Sequence, residues 1–337
     1  MKAVILTSIN SPLEVREITL GKLKIGQVLI RNLTSGLCGA QLQEISGNKG
    51  NAGLVPHLLG HEGCGVVEAI GEGVMKVQPG DKVILHWRKG SGLESDFPNY
   101  TQQEQKISGG KVTTLSEFSI VSENRITKIP SSTDPEIAAM LGCSLSTALG
   151  VVENEIDFKL GQSVLVVGMG GVGQNLVVAL RFIGCHSPHV FDKSDGKELH
   201  ASKLGASKFT SNMKELDEQY DLILDTTGSA EIFDWATLKL SSSGKLVLIG
   251  QPDPSLPLSI NSPYSLFSGE GKTIKTTQGG QFNPDSDIPR YIKFLEDVGF
   301  NASQVVTNRY RLEDINEAVA ALRTGLTGKI IFEIGLK

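Results

Sequence analysis

Cysteine is scarce in this chain of 337 residues: there are four, at widely separated positions. That is too few to staple a chain of this length, so a reducing, cytoplasmic setting is expected, with the thiols acting as core residues or ligands. Long apolar runs are missing as well. No stretch approaches the roughly 18 uninterrupted apolar residues of a membrane span. Met1-Lys2-Ala3-Val4-Ile5-Leu6 lacks the apolar core and cleavage site of a signal peptide and reads as a first strand. Nor is there an excess of positive charge. A formal net charge of −5 provides no basic surface suited to nucleic acid. Neither nucleic acid nor a membrane is expected as a partner. Internal repeats, low-complexity tracts and charged tails are absent too. What remains is an ordinary globular composition, 39% hydrophobic and 20% charged, at a length that suggests two domains.

The first third is rich in short β-branched segments broken by glycine, such as Gln27-Val28-Leu29-Ile30-Arg31, Gly65-Val66-Val67-Glu68-Ala69-Ile70 and Asp81-Lys82-Val83-Ile84-Leu85. This spacing predicts a β-rich, barrel-like domain. Residues 89–111 are polar and read as a long surface excursion. Near residue 145 the rhythm changes. Ser163-Val164-Leu165-Val166-Val167 is a continuous apolar strand, followed by a run with helical spacing and a second strand, His189-Val190-Phe191-Asp192. Further strands are predicted at residues 206–210, 221–225, 245–249 and 273–276. Apolar strands alternating with helices indicate a doubly wound parallel sheet covered on both faces. From about Pro289 an amphipathic helix precedes a last strand, Lys329-Ile330-Ile331-Phe332-Glu333-Ile334, which is expected to return to the first domain. The predicted boundaries are 1–145 with 288–337 for one domain and 146–287 for the other.

Gly168-Met169-Gly170-Gly171-Val172-Gly173 fits G-x-G-x-x-G between a strand and a helix. Gly168 permits the tight turn, Gly170 lets backbone approach a pyrophosphate, and Gly173 allows close helix–strand packing. The positive end of the helix then faces the phosphates. Asp192 closes the second strand, where a carboxylate accepts ribose hydroxyls and repels a 2′-phosphate. NAD is therefore expected over NADP, although Lys193 and Lys197 offer cations that tolerate an extra phosphate. The plainer alternative is a strand-end aspartate capping the next helix.

Three glycine-rich segments carry metal-type side chains: Gly36-Leu37-Cys38-Gly39, Gly60-His61-Glu62-Gly63 and Gly142-Cys143-Ser144. Two thiolates and an imidazole suit catalytic zinc, with a fourth position open. Taken singly, each reads better as a core residue or a satisfied polar group. The order of landmarks resembles the zinc-containing alcohol dehydrogenase family of the medium-chain dehydrogenase/reductase superfamily. Those landmarks are Gly60-His61-Glu62-Gly63-Cys64-Gly65, Gly71-Glu72-Gly73-Val74, Val77-Gln78-Pro79-Gly80-Asp81-Lys82-Val83, Gly142-Cys143 with Ser146-Thr147, and the glycine turn from Gly168 to Gly173. The resemblance implies an α/β chain with a GroES-like β-rich catalytic domain and a Rossmann NAD-binding domain. It implies Cys38, His61 and Cys143 as zinc ligands, with Glu62 a carboxylate able to approach the metal. Thr147 would lie against the nicotinamide and Lys329 near the pyrophosphate. The implied activity is reversible hydride transfer between a small alcohol and NAD(H), giving an aldehyde or ketone, in a homo-oligomer, dimer or tetramer.

The sequence departs from that family in two places. After Cys38 come Gly39-Ala40-Gln41, and Gln43 stands where many members have a histidine. Ala40 carries no proton, and Gln41 replaces a carboxylate that would orient the histidine ligand. Two substitutes for the missing proton path remain open: His86 as acceptor, or a substrate bearing its own neighbouring hydroxyl. Residues 88–112 contain no cysteine, so one catalytic zinc and no structural zinc is expected. Arg88-Lys89-Gly90-Ser91-Gly92 reads as a solvated loop or as a contact for an anionic, sugar-like substrate. A zinc-free quinone or enoyl reductase and a non-catalytic NAD-binding protein are the competing readings.

Overall fold

The computed structural model describes residues 1–50 and 52–335. It divides into two compact units, Met1–Ser146 with Asn283–Lys337, and Thr147–Phe282.

In the first unit a seven-stranded sheet has the order Ile126–Lys128, Lys82–His86, Glu62–Ile70, Gln27–Leu37, Lys329–Glu333, Val306–Tyr310, with Phe118–Ser122 also paired to Gln27–Leu37. The strand Gln27–Leu37 is its spine. It extends six residues beyond the Gln27-to-Arg31 segment because buried polar side chains continue it. Asn32 Nδ2 donates to Ser116 O and Ser119 Oγ, both at 2.7 Å, and Ser35 Oγ lies 2.7 Å from Thr114 Oγ1. Hydrogen-bonded in this way, these polar residues occupy a strand interior at reduced cost, although Asn32 Oδ1 is left without a partner. The last strand pairs antiparallel with the same spine, Ile331 opposite Gly36 and Ile330 opposite Leu37. Ile330 and Phe332 are fully buried beside Val4, Leu6 and Leu37. Each such side chain contributes about 1.5–3 kcal/mol on burial, which is what holds the tail in this unit. The amphipathic helix expected from Pro289 begins five residues earlier, at Pro284. Asn283 caps it by accepting Asp285 N–H at 3.0 Å, and Pro284 occupies the first turn, where its missing donor costs nothing.

The excursion at residues 89–111 is not wholly loop. Tyr100–Gln102 and Gln105–Ile107 form a hairpin that also pairs with Thr19–Leu20. Tyr100 is buried, and its hydroxyl accepts Ile120 N–H at 3.0 Å. The turn uses Gln103 and Glu104 at positive φ, a conformation that glycine or asparagine normally signals.

The second unit contains a six-stranded sheet, ordered Lys208–Thr210, His189–Phe191, Val164–Val167, Tyr220–Asp225, Leu240–Leu248, Thr273–Thr276. Every pairing in it is parallel. Its centre, Val164–Val167, is buried along its whole length, as a strand covered on both faces must be. No single helix among the described residues is long and apolar enough to cross a membrane.

The first strand turns into the helix Gly171–Phe182 through the glycine motif. A Cβ on Gly173 would sit 1.8 Å from the Gly168 carbonyl oxygen, a backbone atom that cannot move aside. Gly173→Ala is therefore expected to destabilise the second unit by about 1–3 kcal/mol or more, read as a lower midpoint in urea. A midpoint equal to wild type would show that the turn can open.

Candidate functional site

Three local devices bring the ligand-type side chains together. Cys38 ends the spine strand and caps the helix Gly39–Ile45. His61 follows Gly60, whose φ of +96° makes the corner before the strand Glu62–Ile70. Cys143 lies in the two-residue break between the helices Pro135–Leu141 and Ser144–Asn154. The ligand atoms of Cys38, His61 and Cys143 all lie within 4.8 Å of one another. Both cysteines are free thiols.

Their electrostatics are coupled. A hydrogen bond from Cys143 lowers the Cys38 pKa well below the thiol range, against burial, with His61 and Lys329 adding to the effect. The same contact, with burial and the charge on Glu62, raises that of Cys143. Burial disfavours a charged His61, but its hydrogen bond with Cys38 and the nearby acids outweigh this and raise its pKa. Two sulfurs and an imidazole at one point fit zinc, whose bonds of about 2.0–2.3 Å gather ligands on this scale.

In the second unit the glycine turn is bare where a ligand would approach: a Cβ on Gly170 meets nothing within 4 Å. Gly170 caps the helix without a side chain, and Gly171, Val172 and Gly173 form its first turn. Asp192 is buried at the end of its strand. It accepts Met169 N–H at 2.7 Å and Ser194 N–H at 3.0 Å, tying the strand end to the turn.

Residues 24–131 match the family described as "Alcohol dehydrogenase GroES-like domain", and residues 171–297 match "Zinc-binding dehydrogenase". The chain belongs to the zinc-containing alcohol dehydrogenase family. "Alcohol dehydrogenase 6" of Peromyscus maniculatus is 27% identical over 360 residues, covering 96% of this chain and 95% of its own. Two solved structures share the fold over 99% of both chains. One is an alcohol dehydrogenase zinc-binding domain protein from Burkholderia ambifaria, with a TM-score of 0.88 at 24% identity. The other is benzyl alcohol dehydrogenase from Acinetobacter calcoaceticus, with a TM-score of 0.87 at 22% identity. The protein is an alcohol oxidoreductase of the zinc medium-chain type.

Around the three ligand-type residues the dehydrogenase corrects several expectations. Glu62 stands beside the group rather than in it. One carboxylate oxygen is ion-paired with Lys329, and the other accepts Ser144 N–H at 3.3 Å and Ser144 Oγ at 3.4 Å. Lys329, expected near a pyrophosphate, is instead 1% exposed; its Nζ is held by Glu62 and donates to Leu37 O at 3.3 Å. Burial opposes its charge, but Glu62 and Cys38 raise its pKa. The pair fits because Gly36 has no side chain: a Cβ there would lie 2.5 Å from Glu62 Oε1 and 2.7 Å from Lys329 Nζ. Lys197 is likewise no free cation, being buried with Nζ 2.9 Å from Asp192 Oδ2. Lys193 is exposed, and Thr147 is buried on the helix Ser144–Asn154.

His86 is not placed to accept a substrate proton. Its Nδ1 donates to Arg88 O at 2.6 Å, and Nε2 lies 3.1 Å from Thr127 Oγ1. Burial pushes its pKa down to about 4. The basic loop is also neutralised. Lys89 lies 3.4 Å from Glu94, which Lys111 approaches at 2.9 Å and Arg125 at 3.5 Å. Although burial pushes the other way, Lys111, Asn124 and Arg125 hold Glu94 at about 2. Lys76 pairs with Asp285, which also accepts Ser91 N–H at 2.5 Å. Glu44, which the sequence reading passed over, lies near His61 and His57, and burial raises its pKa against their charge. The available signal was its place one helical turn after Gln41.

Lys329→Met leaves a buried carboxylate without its partner and is expected to cost roughly 3–5 kcal/mol. Adding Glu62→Leu should recover part of that loss in urea titrations; no recovery would mean that the pair is not the cause. A second expectation concerns acid. Because the folded pKa of His86 lies below its ordinary value of 6.5, the unfolded state binds the extra proton between pH 6.5 and about 4. Stability should fall as pH drops through that window, by about 3 kcal/mol in all. His86→Gln should flatten this part of the stability profile without moving the pH profile of turnover. A shifted turnover profile would restore His86 as proton acceptor.

Proposed function

We propose that the protein oxidises a small alcohol to its aldehyde or ketone with NAD, reversibly, at one zinc ion held by Cys38, His61 and Cys143. The convergence of those three ligand atoms within 4.8 Å carries the reading. The first unit is assigned the catalytic role and the second the nucleotide. When bound, zinc supplies a Lewis acid for the substrate oxygen and NAD accepts hydride from the carbinol carbon.

The chain's own residues set the conditions for that chemistry. Gln41 Nε2, 2.8 Å from His61 Nδ1, orients the imidazole. Lys329 balances the charge of Glu62, so the carboxylate stays beside the ligands without occupying a ligand's place. In the second unit the open face at Gly170 admits a pyrophosphate, and Asp192 presents its carboxylate to the adenosine ribose. Paired with Lys197, that carboxylate keeps a fixed orientation. With Ala40 and Gln43 unable to relay a proton and His86 engaged on both nitrogens, a substrate carrying a hydroxyl next to the reacting one is favoured. Such a substrate supplies its own hydrogen-bonding route to water.

Elemental analysis of protein purified without chelator should give about one zinc per chain, and little in Cys143→Ala. With NAD, vicinal diols should turn over faster than the matching simple alcohols. No zinc in either protein would sink the metal assignment; equal rates on both alcohol classes would sink the substrate preference alone.

A further inference from the structure

Thr226 directly follows the strand Tyr220–Asp225, and its hydroxyl reaches sideways to the glycine turn that leaves the neighbouring strand Val164–Val167. Oγ1 donates to Val167 O at 2.9 Å and to Gly168 O at 3.3 Å, one proton shared between two consecutive carbonyls. Such a bridge sets the angle between two peptide planes. The hydroxyl also fills the space beside the glycines. A Cβ on Gly168 would lie 2.5 Å from Oγ1, and one on Gly173 would lie 3.4 Å from it.

The other ends of the same two peptides are held as well. Gly168 N–H donates to Phe191 O at 2.8 Å, and Met169 N–H donates to Asp192 Oδ2 at 2.7 Å. Each plane is gripped by its carbonyl at Thr226 and by its N–H at the end of the strand His189–Phe191. The grip has work to do at Gly168, whose φ of +90° belongs to a residue with little intrinsic resistance to rotation. Were the Gly168–Met169 peptide to flip, its oxygen would face the Asp192 carboxylate, and the N–H that fixes this carboxylate would be withdrawn. A chain of contacts therefore runs from the Thr226 hydroxyl through one peptide to Asp192.

We propose that Thr226 is a positioning residue for the dinucleotide: by holding the Gly168–Met169 peptide in this orientation, it sets Asp192 and the bare turn at Gly170 in place before the cofactor arrives. It acts through the peptide and has no part in hydride transfer. The inference rests on the reading of the glycine turn as the nucleotide site.

The test compares Thr226→Val, which keeps the shape and removes the hydroxyl, with Thr226→Ser, which keeps the hydroxyl. The Kd for NADH, measured on the full chain by fluorescence titration, is expected to rise about 3- to 10-fold in the valine variant, the effect of one lost hydrogen bond. In the serine variant it should stay near wild type. The KM for NAD should follow the Kd, while kcat at saturating NAD does not fall. A threonine that only stabilised the fold would lower the urea midpoint and leave the Kd where it was. Cofactor-free protein gives a second readout. With ¹⁵N-methionine labelling, and Met169 assigned by its loss in Met169→Leu, the Met169 amide should exchange with solvent faster in Thr226→Val than in wild type. An unchanged Kd, a serine variant as weak as the valine one, or an unchanged exchange rate overturns the proposal. Failure of wild type to bind NADH overturns the nucleotide reading instead.

Discussion

The first unit is organised around one buried ion pair, Glu62 with Lys329. Neither side chain is more than 1% exposed, and withdrawing two charges from water costs several kcal/mol for each ion unless each finds its counterpart. That requirement constrains everything near it. Glu62 begins one neighbour of the spine strand and Lys329 begins the other, so the pair reaches across the spine at Gly36, the one residue there without a side chain. The second oxygen of Glu62 takes the N–H and hydroxyl of Ser144, next to Cys143. A single carboxylate thus ties the break that presents one cysteine to the strand that follows the histidine. The lysine, donating to Leu37 O, ties in the residue before the other cysteine. The ligand-type residues converge because their neighbours in sequence are bound to the same pair of charges.

Much of this arrangement was legible from local pattern. The strands of the parallel sheet are apolar and bounded by glycine or by helical spacing, and they emerge within a few residues of their expected positions. The glycine turn and Asp192 also stand where the pattern puts them, between strand and helix and at a strand end, since their placement depends on residues close in sequence. The partnership of Glu62 and Lys329 does not, because 267 residues separate them and neither side chain signals burial. The hairpin at residues 100–107 escaped notice for a different reason: its turn places Gln103 and Glu104 where glycine is the usual signal. Polar residues inside the spine strand hid its true length, their hydrogen bonds being made to side chains and backbone more than 70 residues away.

Charge was the least dependable guide. Lys89 read as a solvated loop residue or a contact for an anion and Lys197 as a cation tolerant of an extra phosphate, yet Glu94 meets Lys89 and Asp192 meets Lys197. His86 read as a titratable group near the chemistry, yet burial keeps it neutral. A basic run in sequence shows only that charge is present. Whether that charge is free for a ligand depends on the acids the fold brings to it.

The first unit is interrupted, its chain leaving at Ser146 and re-entering at Asn283. On the ribosome, the whole of the second unit emerges before the strand that carries Lys329. Until then Glu62 has no counter-charge, and the spine strand has a bare edge where Ile330 and Phe332 will pack. All the strands of the parallel sheet are made before the strand Lys329–Glu333 that closes the open side of the first unit. Order of completion thus departs from order in the sequence: the unit entered before Thr147 is finished only after the unit that ends at Phe282.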